Sequence, residues 1–79
     1  MHRKDLLENV DKIHTTEMGV GRIQQNLGID DEPVGYCILK LKSEDAVVTR
    51  EGKNYYVNVD GCRITINAGS FTIITAHKI

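Results

Sequence analysis

Two histidines, two arginines and a lysine carry the reactive chemistry of this sequence: His14, His77, Arg22, Arg63 and Lys78. An imidazole titrates near neutral pH and can take or give a proton. Guanidinium and ammonium groups hold a phosphate and stabilise the charge that develops on it. RNA cleavage needs little more than this set. The substrate's own 2′-hydroxyl is the nucleophile, so a protein supplies only a base, an acid and a cation. On that reading His14 and His77 are the acid and base, and Arg22 completes the catalytic group. Thr15, Thr16, Tyr56, Arg63, Thr65, Asn67, Thr72, Thr75 and Lys78 are the candidates to bind substrate. Each residue also has a plainer reading. His77 can be a solvated chain end, His14 a cap on helix carbonyls and Arg22 a solvated helix arginine. His2 stands at a terminus expected to fray and is set aside.

Several other chemistries lack their residues. There is no Gly-rich phosphate loop, no nucleophile elbow and no carboxylate cluster for a metal. The two cysteines, Cys37 and Cys62, lie far apart and show no zinc spacing. They read as free buried thiols of a reducing compartment, with a disulfide as the lesser alternative. No cofactor or metal is expected. No stretch approaches the ~18 apolar residues of a membrane span. The opening MHRKDLLENV carries charges where a signal peptide needs apolar residues. Cytoplasmic action is expected, with delivery from another cell left open.

Seventy-nine residues with 41% hydrophobic content make one small domain, residues 1–79, with a single core. The net charge is −1, unevenly spread. Residues 1–45 carry six Lys/Arg against nine Asp/Glu, and residues 46–79 carry four against two. The two halves differ weakly in charge.

The elements that must position these groups divide at the same place. Residues 1–45 read as helices. Leu6, Leu7, Val10 and Ile13 recur at helical spacing over residues 3–13. Thr15 or Thr16 caps a second helix with the seam Val20, Ile23 and Leu27, ended by Gly28. An acidic cap and Pro33 start a third, with Val34, Cys37, Ile38 and Leu41 at i, i+3, i+4 and i+7. Residues 46–79 switch to period two, with turns at Glu51-Gly52, Asp60-Gly61 and the stretch from Asn67 to Ser70. A two-residue turn at Asp60-Gly61 pairs Val59 with Cys62, Val57 with Ile64 and Tyr55 with Ile66 on one face. On the other it pairs Asn58 with Arg63, Tyr56 with Thr65 and Asn54 with Asn67. A one-residue slip would exchange the faces, so the clean separation supports this register. The first hairpin is expected to set Val48 beside Tyr55 and Thr49 beside Asn54. The fold class is α+β: three N-terminal helices packed on one face of a four-stranded antiparallel meander.

The outer face then presents Asn54, Tyr56, Arg63, Thr65 and Asn67, with no carboxylate among them. A cation, amides and an aromatic on one surface suit phosphate contacts and base stacking. An ordinary wet sheet face presents polar residues too, and the choice stays open here. His77 and Lys78 point to opposite faces by alternation.

The segments IHTTEMGVGRIQQNLGI and GKNYYVNVDGCRITINAGSFTIITAHK, in that order, resemble an uncharacterised bacterial family of short proteins, domain of unknown function 3781. The likeness runs from about Leu6 to Lys78, and its most specific parts are His14-Thr15-Thr16-Glu17, Gly19, Arg22-Ile23, Asn26-Leu27 and Thr72 to Lys78. The family implies no activity. The order of helices and sheet is also similar to the barnase–EndoU–colicin–RelE group of toxin ribonucleases. That resemblance implies RNA, tRNA included, as substrate, and a cognate immunity or antitoxin protein as partner. Many such toxins are strongly basic, and this chain is not.

Two functions follow as expectations. The first is a small metal-independent ribonuclease of toxin type, which requires His14, His77 and Arg22 to converge on one phosphate. The second is a non-enzymatic protein-binding module, such as an immunity or regulatory subunit, with the two histidines far apart.

Overall fold

Capping side chains decide where two of the helices begin. The computed structural model describes residues 2–79, apart from the side chain of His2, so the reading of that imidazole lies outside the described residues. Helix α1 (His2–Glu8) buries Leu6 and gives way to a 3₁₀ turn at Val10–Lys12. The helical pattern expected over residues 3–13 is therefore broken, and Asn9 shows how. Its Nδ2 donates to the Asp5 carbonyl at 2.8 Å, while its backbone N–H turns to the Leu6 carbonyl at 3.1 Å. That shorter reach is the 3₁₀ pattern.

Helix α2 (Glu17–Leu27) starts at Thr16, whose hydroxyl accepts from the Gly19 N–H at 3.0 Å. Gly28, at φ 67, closes it in the left-handed region that glycine adopts without strain. Helix α3 (Pro33–Leu41) starts at Glu32, whose carboxylate accepts from the Val34 and Gly35 N–H groups. Pro33 occupies the first turn, where its missing N–H costs nothing.

Four strands follow: β1 (Val47–Glu51), β2 (Asn54–Val59), β3 (Cys62–Asn67) and β4 (Ile73–Lys78), antiparallel and in sequence order. Asp60 (φ 49) and Gly61 (φ 73) give the β2–β3 turn two positive φ angles, the type I′ signature. The register around it has the six expected pairs, from Val59 with Cys62 to Asn54 with Asn67. The first hairpin differs. Glu51 pairs with Asn54, Thr49 with Tyr56 and Val48 with Val57, two residues away from the expected register. The turn is Gly52-Lys53, with Gly52 at φ 61, and Glu51 belongs to the strand. At the third hairpin Ile66 pairs with Ile73 but Thr65 pairs with Thr75, so Ile74 is extruded as a bulge.

Leu6, Ile23, Leu27, Cys37 and Leu41 from the helices form one core with Tyr55, Val57, Val59, Ile64, Ile66, Ile73 and Ala76 from alternating strand positions. Helix α1 lies against β1, α2 against β4, and α3 against β2 and α2. Ile23, Leu41, Val57, Ile64 and Ile73 are almost wholly withdrawn from solvent, each contributing about 1.5–3 kcal/mol by burial. Both cysteines are free and buried. Burial pushes the Cys37 thiol up to about 12, with Glu32 and Cys62 adding to the effect. It stays protonated and unreactive near neutral pH.

Candidate functional site

Strand register arranges the residues that alternate with the core into three rows. Asn58, Arg63 and His77 run across β2, β3 and β4 in the first. Thr49, Tyr56, Thr65 and Thr75 span all four strands in the second. Glu51, Asn54 and Asn67 form the third. This is the outer face. The expectation that it holds no carboxylate is corrected, because the tighter first turn places Glu51 on the strand.

Arg63 is held in position within the first row. Its Nε donates to Asn58 Oδ1 at 3.0 Å, and its Cζ lies 6.0 Å from the centroid of the Tyr56 ring. Both contacts restrain the guanidinium stem while leaving its terminal nitrogens for an anion. Across the strand boundary stands half-buried His77, the cross-strand partner of Arg63. Such partners have Cβ atoms about 4.5–5.5 Å apart. A cavity of about 330 Å³ opens beside them, lined by Thr49, Glu51, Gly52, Tyr56, Asn58 and Arg63. Asn54 Nδ2 reaches the Tyr56 hydroxyl at 3.5 Å. Thr65, on the next row, is only 7% exposed between Tyr56 and Thr75.

Tyr56, Arg63, Thr65, Thr75 and His77 therefore share one face. Asn67 lies on it too, but its Oδ1 is occupied by the Gly69 and Ser70 N–H groups, at 2.9 and 3.0 Å, which shape the β3–β4 loop. Lys78 pairs with Cys62 on the opposite side of β4, near Gly28. Thr49, Glu51 and Asn58 line the cavity and were not singled out from the sequence. Parity already sets Thr49 and Asn58 on this face, without marking either as a site residue. Glu51 was hidden by the misplaced turn.

His14 stands at the other end of β4, in a segment that works as a latch. Its backbone N–H donates to Phe71 and its carbonyl accepts from Ile73, a parallel bridge centred on Thr72. The Thr15 hydroxyl donates to the Ile73 carbonyl at 3.0 Å. The His14 ring lies 2.8 Å through Nδ1 from the Lys12 carbonyl and 3.0 Å through Nε2 from Thr72 Oγ1. A carbonyl only accepts, so Nδ1 carries the hydrogen, and Nε2 shares the second bond with the Thr72 hydroxyl. Thr72 in turn is 2.7 Å from Ser70 Oγ. Gly19 belongs to the same latch, because a Cβ there would overlap Thr15 Oγ1.

His14 and His77 do not converge. Five residue steps of chain, the bulge at Ile74 among them, separate Thr72 from His77, at most about 16 Å at strand rise. Both nitrogens of the His14 ring are engaged, and Arg22 is exposed on α2. Among the described residues the two imidazoles do not share a pocket, because strand direction carries the rings to opposite ends of β4. Among the described residues no three His, Cys, Asp or Glu side chains gather as a metal site would require. None of the helices described is long and apolar enough to cross a membrane.

Fold and site together define a small α+β domain with an antiparallel meander, a latched final strand and a polar outer face built around one Arg–His pair. The chain belongs to the family described as Protein of unknown function (DUF3781), whose sequence model matches residues 7–77. No curated protein and no solved structure matches it.

Proposed function

We propose that this chain is a small metal-independent RNA-cleaving domain of toxin type, acting in the cytoplasm on a single strand laid across the outer face of the sheet. The three helices take one face of the meander, and the opposite face is left for a ligand. The observation that carries the reading is the cross-strand pair of Arg63 and His77, beside the Tyr56 ring and the cavity.

His77 takes the proton from the substrate's 2′-hydroxyl. The 2′-oxygen attacks the adjacent phosphorus and the bond to the 5′-oxygen breaks, giving a 2′,3′-cyclic phosphate. Solvent returns a proton to the leaving oxygen. Arg63 holds the phosphate and stabilises its added charge, and Tyr56 stacks an unpaired base. Thr75 lines the path, with Thr65 buried beside it. A cognate immunity or antitoxin protein would act by covering this face.

The test is to induce the wild-type chain, His77→Ala and Arg63→Ala in cells, and to treat labelled RNA with each purified protein. The wild type is expected to slow growth and yield fragments ending in a 2′,3′-cyclic phosphate. His77→Ala is expected to lose roughly 100-fold or more in rate. Intact RNA and equal growth for all three overturn the proposal. They would favour the second reading, a non-enzymatic immunity or regulatory module. That reading draws on Ile74 and Ile79, which stay exposed in and just beyond β4.

A further inference from the structure

Resting on that RNA reading, we infer that the cavity over Tyr56 is a base pocket that selects guanine. Its lining is asymmetric. Tyr56 supplies a ring face from the middle of β2, between the strand that carries Glu51 and the strand that carries Arg63. Along the strand direction, Glu51 lies in the row on one side of Tyr56 and Asn58 in the row on the other. An ionised carboxylate only accepts hydrogen bonds, and it accepts two side by side. With its Oδ1 taken by Arg63, Asn58 keeps its Nδ2 donor for a ligand.

A base stacked on Tyr56 therefore meets a pair of acceptors at one edge and a donor at the other. Guanine matches that arrangement. Its N1–H and N2–H₂ are adjacent donors for Glu51, and its O6 and N7 are acceptors for Asn58. Adenine offers N1 as an acceptor where guanine offers a donor, setting a lone pair against the carboxylate. Uracil has one ring N–H flanked by two carbonyls, and cytosine has an amine beside an acceptor nitrogen. Neither presents two adjacent donors. The cavity, at about 330 Å³, lies at the small end of the ~300–1,000 Å³ found for ligand sites. That favours one base over a stacked pair. The phosphate of the same nucleotide falls to Arg63, next to His77.

The experiment measures fluorescence anisotropy with labelled UUUUU, UUGUU, UUAUU and UUCUU, each 2′-O-methylated so that the strand survives. UUGUU is expected to bind about tenfold or more tightly than the other three, the discrimination of one good bidentate contact. Glu51→Gln is expected to bring UUGUU to the level of UUAUU, with an unchanged circular dichroism spectrum and melting curve. Equal binding of all four oligomers overturns the guanine assignment and leaves the RNA reading standing. A preference for guanine that survives Glu51→Gln also overturns it. Binding of none of them overturns the RNA reading, and this one with it.

Discussion

Replacing Gly19 with alanine should destabilise this protein, although alanine is the better helix former. In an open helix the exchange gains about 1 kcal/mol, because glycine loses more backbone freedom on folding. Here the new methyl would overlap Thr15 Oγ1, with Thr16 Oγ1 at 3.2 Å and Thr15 Cβ at 3.4 Å close behind. Thr15 cannot give way freely, since its hydroxyl donates to the Ile73 carbonyl at 3.0 Å. Rotating it breaks that bond, at about 0.5–1.5 kcal/mol net, and leaves a half-buried carbonyl short of a donor at about 1–3 kcal/mol. Against the propensity gain, Gly19→Ala should cost roughly 0.5–3.5 kcal/mol. For a domain this small, that is about 4–8 °C of melting temperature per kcal/mol. Urea denaturation of a double-mutant cycle checks the cause. In a Thr15→Ala background the overlapping oxygen is gone, and Gly19→Ala should become stabilising by up to about 1 kcal/mol. A Gly19→Ala effect of the same sign and size in both backgrounds would refute the latch as the reason for this glycine.

Two more outcomes are open to the same measurement. Thr16→Ala removes the α2 cap, the bond from the Gly19 N–H, and should cost about 1 kcal/mol, with Thr16→Asn restoring most of it. Stability should also fall in alkali. The Cys37 thiol is raised from 9.0 to about 12 in the folded chain, so above pH 9 the unfolded chain sheds a proton that the folded chain keeps. The loss is roughly 1.4 kcal/mol per pH unit between those values. Lys40, raised by its hydrogen bond to Asp60, works in the same direction. Cys37→Ala should lower stability at pH 8 and flatten this slope, and an unchanged slope would assign it elsewhere.

What could be read from the chain depended on how tightly local chemistry constrained each element. Asp60-Gly61 demands a two-residue turn with positive φ, so the β2–β3 register and its two faces followed directly. Glu51-Gly52-Lys53 admits more than one turn position. A two-residue slip keeps every side chain on its face, so alternation could not choose between the registers. That slip is what removed Glu51 from the expected outer face. The bulge at Ile74 left no pattern at all, since Thr-Ile-Ile-Thr reads equally well as unbroken strand. The latch was visible as residue types at His14, Thr15, Thr16 and Gly19, but its other half sits 58 residues away at Thr72 and Ile73. Nothing local announces such a partner. The expected meeting of His14 with His77 failed for the same reason: which end of β4 receives His14 is decided by tertiary packing.

That 58-residue span has a kinetic consequence. Contacts between distant positions must wait until the intervening chain has been confined, and the entropy of that confinement is spent before the contact returns anything. Helix α2 finds its anchor only when β4 is in place, and β4 gains an edge partner only when the segment before α2 arrives. Neither portion is a finished template for the other, so assembly is cooperative across the whole chain. A nick or insertion anywhere between the two anchor points would slow it, even in loops that touch nothing.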